Sequence, residues 1–262
     1  MLFDLEKSPI KLSASENIKK ILCVCSHERS GTHFLMNSIS INSSYSVNPY
    51  LNFDLIPFGD MVNFYSPTNV ENFINQISSI SHSNQKYKLS SIIKSHHCAS
   101  TFKNLFNNPN IIFLYIYRRP IDVFISFKSY VDHWNWNEGP KKNTLFEFIT
   151  SFPEGQMQRY QEKSYNNLFL RWAWHVNNWL NICSFTNNVL PINYEELKIN
   201  YENTVHQILD FLQINYSFLK KPSKDDYIKT TKKNYIDDDY EKSMDFINKN
   251  LREFPNLRKI FG

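Results

Sequence analysis

Hydrophobic residues fall in short unbroken runs along this chain, and the runs alternate with stretches of helical period. Ile21-Leu22-Cys23-Val24-Cys25, Ser91-Ile92-Ile93, Ile111 to Tyr117 and Val189 to Ile192 carry almost no polar interruption. Runs of this length without period-2 alternation predict strands buried on both faces, the habit of a parallel sheet covered by helices. Between them apolar positions recur at three and four: Phe34, Leu35, Met36 and Ile39; then Val123, Phe124, Phe127 and Val131. Trp172, Val176, Trp179 and Cys183, and later Val205, Ile208, Leu209 and Leu212, repeat the pattern. These positions predict core-facing helix stripes. Pro120 is well placed to open the second helix, and Tyr194 to Leu197 reads as a turn between the last strand and the last of these helices. The expectation is a single α/β domain over residues 1–262, with a central parallel sheet flanked by helices. The run Ile111 to Tyr117 is its central buried strand. Residues 42–82 and 133–167 break the pattern, with Pro49, Pro57, Gly59 and Pro67 among aromatic residues in the first, and Trp134, Trp136, Phe152 and Tyr160 in the second.

Composition narrows the class without choosing a function. The 262 residues suffice for one domain with a substantial core, and 42% hydrophobic with 16% aromatic content argues against disorder. A formal charge of +4 suits a protein that binds a polyanionic small molecule but falls short of a nucleic-acid footprint. The N-terminal Met1-Leu2-Phe3-Asp4-Leu5-Glu6-Lys7 lacks a basic segment leading into an apolar one, and no apolar run approaches the ~20 residues that span a bilayer. The expectation is a soluble, cytoplasmic protein with neither membrane nor nucleic-acid partner. Cys23, Cys25, Cys98 and Cys183 show no disulfide framework and read as reduced thiols, the first two on one face of a buried strand. No His/Cys spacing implies a metal.

The chemistry-bearing residues gather where apolar runs end. Ile21 to Cys25 stops at Ser26-His27-Glu28-Arg29-Ser30-Gly31-Thr32 before a helical pattern begins. A loop between strand end and helix start aims backbone N–H groups and the positive helix end at one point, which favours a phosphate. Gly31 permits close backbone approach and Arg29 adds a planar fork of donors. A Walker loop is excluded, since no Gly-Lys-Ser/Thr follows at the required spacing. The second strand ends in Lys94-Ser95-His96-His97. The third ends in Arg118-Arg119-Pro120, and Ser126 lies eight positions beyond Arg118 on the helix that follows. Strand ends of this kind face the crevice outside the carboxyl edge of an open α/β sheet.

Together and in this order, these segments resemble the sulfotransferases that use 3′-phosphoadenosine 5′-phosphosulfate (PAPS), over about Ile21 to Leu212. Arg29-Ser30-Gly31-Thr32-His33-Phe34 is similar to the family's Lys-Ser-Gly-Thr-Thr-Trp loop. By that resemblance Arg29 and the amides of Ser30, Gly31, Thr32 and His33 hold the 5′-phosphosulfate, and Phe34 stands where an aromatic stacks on adenine. Lys94-Ser95-His96 is similar to Lys-Thr-His, which implies His96 as catalytic base with Lys94 and Arg29 stabilising the sulfuryl group and leaving phosphate. Arg118 and Ser126 match the pair that binds the 3′-phosphate. Tyr194-Glu195-Glu196-Leu197 is similar to the segment whose Tyr lies beside the nucleotide. Trp174-His175-Val176 with Trp179 resembles a further family helix.

The resemblance implies a P-loop-kinase-like sulfotransferase fold, PAPS as cosubstrate, no metal, and transfer to a hydroxyl or amine of a small-molecule or glycan acceptor. The aromatic residues of the two irregular segments then either line an acceptor pocket or form satellite hydrophobic clusters. One family element is absent: the Arg-Lys-Gly-x-x-Gly-Asp-Trp-Lys clamp over the 3′-phosphate. Lys220-Lys221-Pro222-Ser223-Lys224 through Lys232-Lys233 occupies its approximate place. Two other readings stay open, a catalytically idle PAPS or 3′,5′-ADP binder and a P-loop-like nucleotide kinase. Intact Lys94 and His96 favour the enzyme over the idle binder, and the missing Walker lysine weighs against the kinase.

Overall fold

The computed structural model describes residues 11–14, 18, 20–52, 71–72, 74–76, 79, 87–133, 137–223 and 238–262. The apolar runs form a five-stranded sheet in the order β3-β5-β2-β6-β7, every neighbouring pair parallel. Its strands are β2 (Ile21–Ser26), β3 (Ser46–Asn52), β5 (Ser91–Ser95), β6 (Ile111–Tyr117) and β7 (Val189–Asn193). A separate antiparallel pair joins β1 (Leu12–Ala14) to β4 (Tyr87–Leu89). Every residue of β2 and β5 is buried. Both faces are covered, so alternate side chains enter two different cores. Cys23, Cys25, Ile93, Phe113 and Tyr115 face one cluster, with α2 (Pro120–His133) and α4 (Leu168–Cys183) packed on it. Leu22, Val24, Ile92, Ile112 and Leu114 face the other, covered by α1 (Thr32–Ser40) and α6 (Tyr201–Phe211).

The predicted stripes lie in these cores: Val123, Phe124, Phe127 and Val131, then Trp172, Val176 and Trp179, are all at most 1% exposed. Trp179 stacks on Tyr115 with ring centroids 4.9 Å apart. The remaining helices are α3 (Leu145–Thr150), α5 (Tyr194–Ile199), α7 (Asp238–Leu251) and α8 (Pro255–Phe261). The turn expected at Tyr194 to Leu197 is helical. Asn193 accepts a hydrogen bond from Glu196 N and so starts α5 directly at the end of β7. Thr144 and Glu147 form a capping box at α3, and Asp239 of α7 also accepts from Leu145 N and Phe146 N, tying α7 to the start of α3. All four cysteines are free, and Cys23 and Cys25 share one core. Among the described residues no helix is long and apolar enough to cross a membrane.

The strand order locates the site. β5 and β6 flank β2 on opposite sides, so the chain arriving from β3 and β5 crosses β2 to reach β6 and β7. Connections diverge at that point, and the crevice beyond the carboxyl end of β2 is where an open sheet of this kind receives a ligand.

Candidate active site

The loop after β2 opens this crevice. Arg29 and Gly31 both have left-handed backbones, at φ 64° and 99°. Such residues curl a loop so that successive N–H groups face one concavity. Helix α1 then starts on Gly31 without a side-chain cap and without an acid in its first turn. Helices α3, α4 and α5 are capped by Thr144, Asn167 and Asn193, whereas α6 and α8, like α1, start without a side-chain cap. A helix start left to the loop suits an anion. Gly31 is required twice over, because a Cβ there would sit 2.2 Å from Cδ2 of Tyr194, the first residue of α5. The Oγ of Ser30 is buried without a hydrogen-bond partner among the described residues.

On the β6 side of the loop, Arg29 Nε donates to Ser126 Oγ of α2 at 3.1 Å, and its guanidinium lies over Tyr130, 5.1 Å from the ring centroid. Arg118 donates to the Arg29 carbonyl at 3.4 Å and stacks over Tyr194 at 4.6 Å, while its Nε is buried without a partner. Burial pulls the Arg29 pKa below its ordinary value; Tyr130 opposes that and Arg118 adds to it. Arg119 turns outward instead, pairing with Asp122 at 2.8 Å. Phe34 is half-buried and leans on Tyr194 and Tyr201, with centroids 6.2 and 6.0 Å away. His33 lies against Tyr50, whose hydroxyl is 3.4 Å from Nε2.

On the β5 side, Lys94 and His96 share the face of Val24 and Ser26. Lys94 is buried at the strand end and donates to Asn52 Oδ1 at 3.4 Å. His96 Nδ1 lies 3.0 Å from the Ser26 carbonyl. A carbonyl only accepts, so Nδ1 carries the proton and the neutral ring has its lone pair on Nε2. The same Ser26 reaches His96 Nδ1 with its Oγ at 3.1 Å and Thr32 Oγ1 at 2.6 Å, linking the imidazole to the start of α1. His97 takes the opposite face, bonded to Ser95 Oγ at 2.8 Å and edge-on to Phe102. Tyr160 packs edge-on against both rings, at 5.6 and 5.3 Å.

Behind the loop lies a fully buried polar network. Arg171, in the first turn of α4, grips both carboxylate oxygens of Glu28 at 2.6 and 3.0 Å and donates to the Met157 carbonyl at 3.0 Å. It also donates to His27 Nε2 at 2.8 Å, while His27 Nδ1 donates to the Glu28 carbonyl at 3.0 Å. His27 therefore sits neutral although a Glu28 oxygen is 3.5 Å away. Desolvation lowers its pKa to about 4, Glu28 opposing and Arg171 reinforcing. Burial alone raises the Glu28 pKa, but Arg171 outweighs it and holds the carboxyl well below the usual range. His175 Nε2 donates to the carbonyls of His96 and His97, each at 3.2 Å, which fixes the backbone bearing the candidate base. Burial also holds His175 well below its ordinary pKa.

A family model described as the sulfotransferase domain matches residues 19–259. The chain belongs to the sulfotransferase family. Among similar solved structures is mouse sulfotransferase SULT7A1 complexed with PAP, at 20% identity and TM-score 0.47, covering 78% of this chain and 63% of that one. Retinol dehydratase in a complex with retinol and PAP matches at 16% identity and TM-score 0.48, covering 76% and 62%. A sulfotransferase from Alicyclobacillus acidocaldarius matches at 13% identity and TM-score 0.48, covering 92% and 96%. The chain thus spans less than two thirds of the length of the first two. No curated protein matches it.

In this member of the sulfotransferase family the crevice brings together Arg29, Ser30, Gly31, Thr32, Arg118, Ser126 and Tyr194 around the loop, with Phe34 beside Tyr194 and Lys94 and His96 on the β5 side. Arg29, matched by resemblance to the 5′-phosphosulfate, extends to Ser126 on the other side. Of the aromatic residues in the two irregular segments, Tyr160 reaches His96, Phe152 is 45% exposed, and Trp134 and Trp136 lie outside the described residues. Of the lysine-rich segment, Lys220 and Lys221 are described and Lys224, Lys232 and Lys233 are not. Asn42 brackets the backbone of Lys220, and the Lys221 ammonium lies over Tyr201, 5.1 Å from its centroid, next to Phe34. Sequence reasoning missed Glu28, Arg171, His27 and the role of His175. The signal was present: an acid adjoins Arg29 in an anion loop, and Arg171 and His175 stand four apart as the two polar interruptions of the aromatic-rich Leu168 to Val176.

Proposed function

We propose that this chain moves a sulfuryl group from PAPS to a hydroxyl or amine of a small-molecule or glycan acceptor. What supports it above all is one link: Ser26 joins the candidate base His96 to Thr32, so a proton acceptor stands beside an anion-binding helix start. By the resemblance, the amides of Ser30 to His33, with Arg29 of the same loop, hold the 5′-phosphosulfate. Arg118 and Ser126 take the 3′-phosphate, with Phe34 and Tyr194 beside the adenine. The acceptor oxygen or nitrogen attacks sulfur as the bond from sulfur to the bridging phosphate oxygen breaks, and 3′,5′-ADP departs with that electron pair. His96 Nε2 takes the acceptor proton, a contribution of roughly 10²–10⁴ in rate. Lys94 faces the charge growing on the transferring group, where a fixed, buried cation stabilises the transition state most. Positioning and fixed positive charge carry the reaction in this scheme, with no step assigned to a metal.

Transfer of label from [³⁵S]PAPS to a panel of phenols, alcohols, amines and saccharides tests the reading. Labelled product in any class supports an enzyme. Tight 3′,5′-ADP binding without transfer across the panel favours the idle binder. Thermal stabilisation by ATP with Mg²⁺ but not by 3′,5′-ADP favours the kinase.

A further inference from the structure

We propose that Arg29 acts as a specificity residue for the 3′-phosphate, on the side of the loop away from the reacting sulfur. The inference rests on the PAPS reading above and assigns to this one residue a different half of the donor. The left-handed backbone of Arg29 sends its side chain out of the loop towards α2, where Nε is anchored on Ser126 Oγ at 3.1 Å and the guanidinium plane is backed by Tyr130. Arg118 meets the same spot from the end of β6, bonded to the Arg29 carbonyl and stacked on Tyr194. Two guanidiniums thus lie close together at one end of the loop, near enough for Arg118 to depress the Arg29 pKa. Like charges held together away from water favour an anion between them.

The nearby acids do not supply it. Asp122 pairs with Arg119, and Glu195 accepts from Arg119 N at 3.2 Å with Arg119 Nε 3.6 Å away. Among the described residues neither Arg29 nor Arg118 pairs with a carboxylate. Arg118 Nε is buried without a partner among the described residues, as are Ser30 Oγ of the loop and Oε2 of Glu195, whose other oxygen is held by Arg119. Lys94 stands on β5 and His96 just past its end, with β2 between them and β6. Two strand spacings separate those ends by about 10 Å. A nucleotide with anionic groups on both its 3′ and 5′ oxygens spans that gap with its reactive end at His96, which leaves Arg29 on the 3′ end.

Calorimetry with 3′,5′-ADP, 3′-AMP and 5′-AMP separates the alternatives. Arg29→Met is expected to weaken 3′,5′-ADP and 3′-AMP by roughly ten- to a hundredfold, the worth of a charge-assisted hydrogen bond, and 5′-AMP by no more than about twofold. Arg29→Lys keeps the charge but loses the planar fork and the anchor, and recovers part of the loss. Arg29→Gln, which leaves Ser126 and Arg118 untouched, reads the same selectivity ratio with a polar side chain of smaller change and stands in if Arg29→Met does not fold. A loss of 5′-AMP affinity equal to that of 3′,5′-ADP, with the ratio unchanged, overturns the assignment and returns Arg29 to the 5′-phosphosulfate. Wild-type protein that binds 3′,5′-ADP no better than 5′-AMP overturns the PAPS reading itself, and this inference with it.

Discussion

Removing Arg171 should destabilise the fold in a pH-dependent way, because its main task is to neutralise a carboxylate that cannot reach water. In Arg171→Met the Glu28 side chain keeps its burial, 7% exposed in the parent, and loses the two bonds at 2.6 and 3.0 Å. Breaking a buried pair by deleting one partner costs about 3–5 kcal/mol. For a domain of this size that is roughly 10 °C in Tm. In the parent, Glu28 titrates below its unfolded value of 4.5, so its stabilisation is fully present above that pH and is lost only as pH falls through the depressed folded value. Without Arg171, burial becomes the ruling influence and raises the Glu28 pKa above the unfolded value. The folded variant then binds a proton that the unfolded chain does not, and its stability rises as pH falls through that window. His27 acts in the same sense. Its shift from 6.5 to about 4 costs the parent roughly 3 kcal/mol as pH drops across that range, and loss of the neighbouring guanidinium relieves part of it.

The deficit of Arg171→Met relative to the parent should therefore be largest near pH 8 and narrow towards pH 5. Thermal unfolding at several pH values measures it directly. Adding Glu28→Gln removes the stranded charge and should recover more than half of the loss at pH 8, a coupling that a double-mutant cycle isolates. A variant as stable as the parent at pH 8, a deficit independent of pH, or a double mutant no better than the single would each refute the reasoning.

Three further outcomes are expected. Gly31→Ala meets both a left-handed φ of 99° and a Cβ contact of 2.2 Å with Tyr194, so a loss of roughly 2–3 kcal/mol in unfolding free energy should accompany weakened 3′,5′-ADP binding; unchanged calorimetry would refute the close-approach argument. His96→Ala should remove most turnover while 3′,5′-ADP affinity stays near the parent value, whereas His97→Ala, on the opposite face, should keep much more activity; the reverse pattern in kcat would move the base to His97. Neutralising Lys232 and Lys233 together should weaken 3′,5′-ADP binding and flatten its dependence on salt, if the segment anchored at Lys220 closes over the nucleotide; an unchanged salt slope would leave these lysines as solvated surface.

The strands and the main helices were legible because a sheet covered on both faces demands continuous apolar runs, and nothing else in a chain of this polarity produces Ile111 to Tyr117. The helical start at Tyr194 is encoded too, since Asn193 three residues before Glu196 is a capping pattern, but a helix of six residues is too short to show a period and reads as a turn. Side-chain direction was harder. Whether Arg29 serves the β5 or the β6 side depends on one backbone dihedral, and no periodicity encodes it.

The buried network was hidden for a different reason. Glu28 and Arg171 are 143 positions apart, so no local pattern pairs them. Each nonetheless conflicts with its own surroundings: Glu28 opposes the positive field of the loop it belongs to, and Arg171 interrupts an apolar helix face. A charge that its neighbours in sequence cannot accommodate must be met by one distant in sequence or the fold bears the full cost of burying it. Two such misfits of opposite sign in one chain are therefore grounds for pairing them on physical chemistry alone. Here the pair joins the anion loop to α4 and, through the Met157 carbonyl, to the short helix Gly155–Tyr160 whose Tyr160 backs His96. The same ion pair that neutralises Glu28 thus ties the loop to the wall behind the proposed base, and damage to it should be felt on both sides of the crevice.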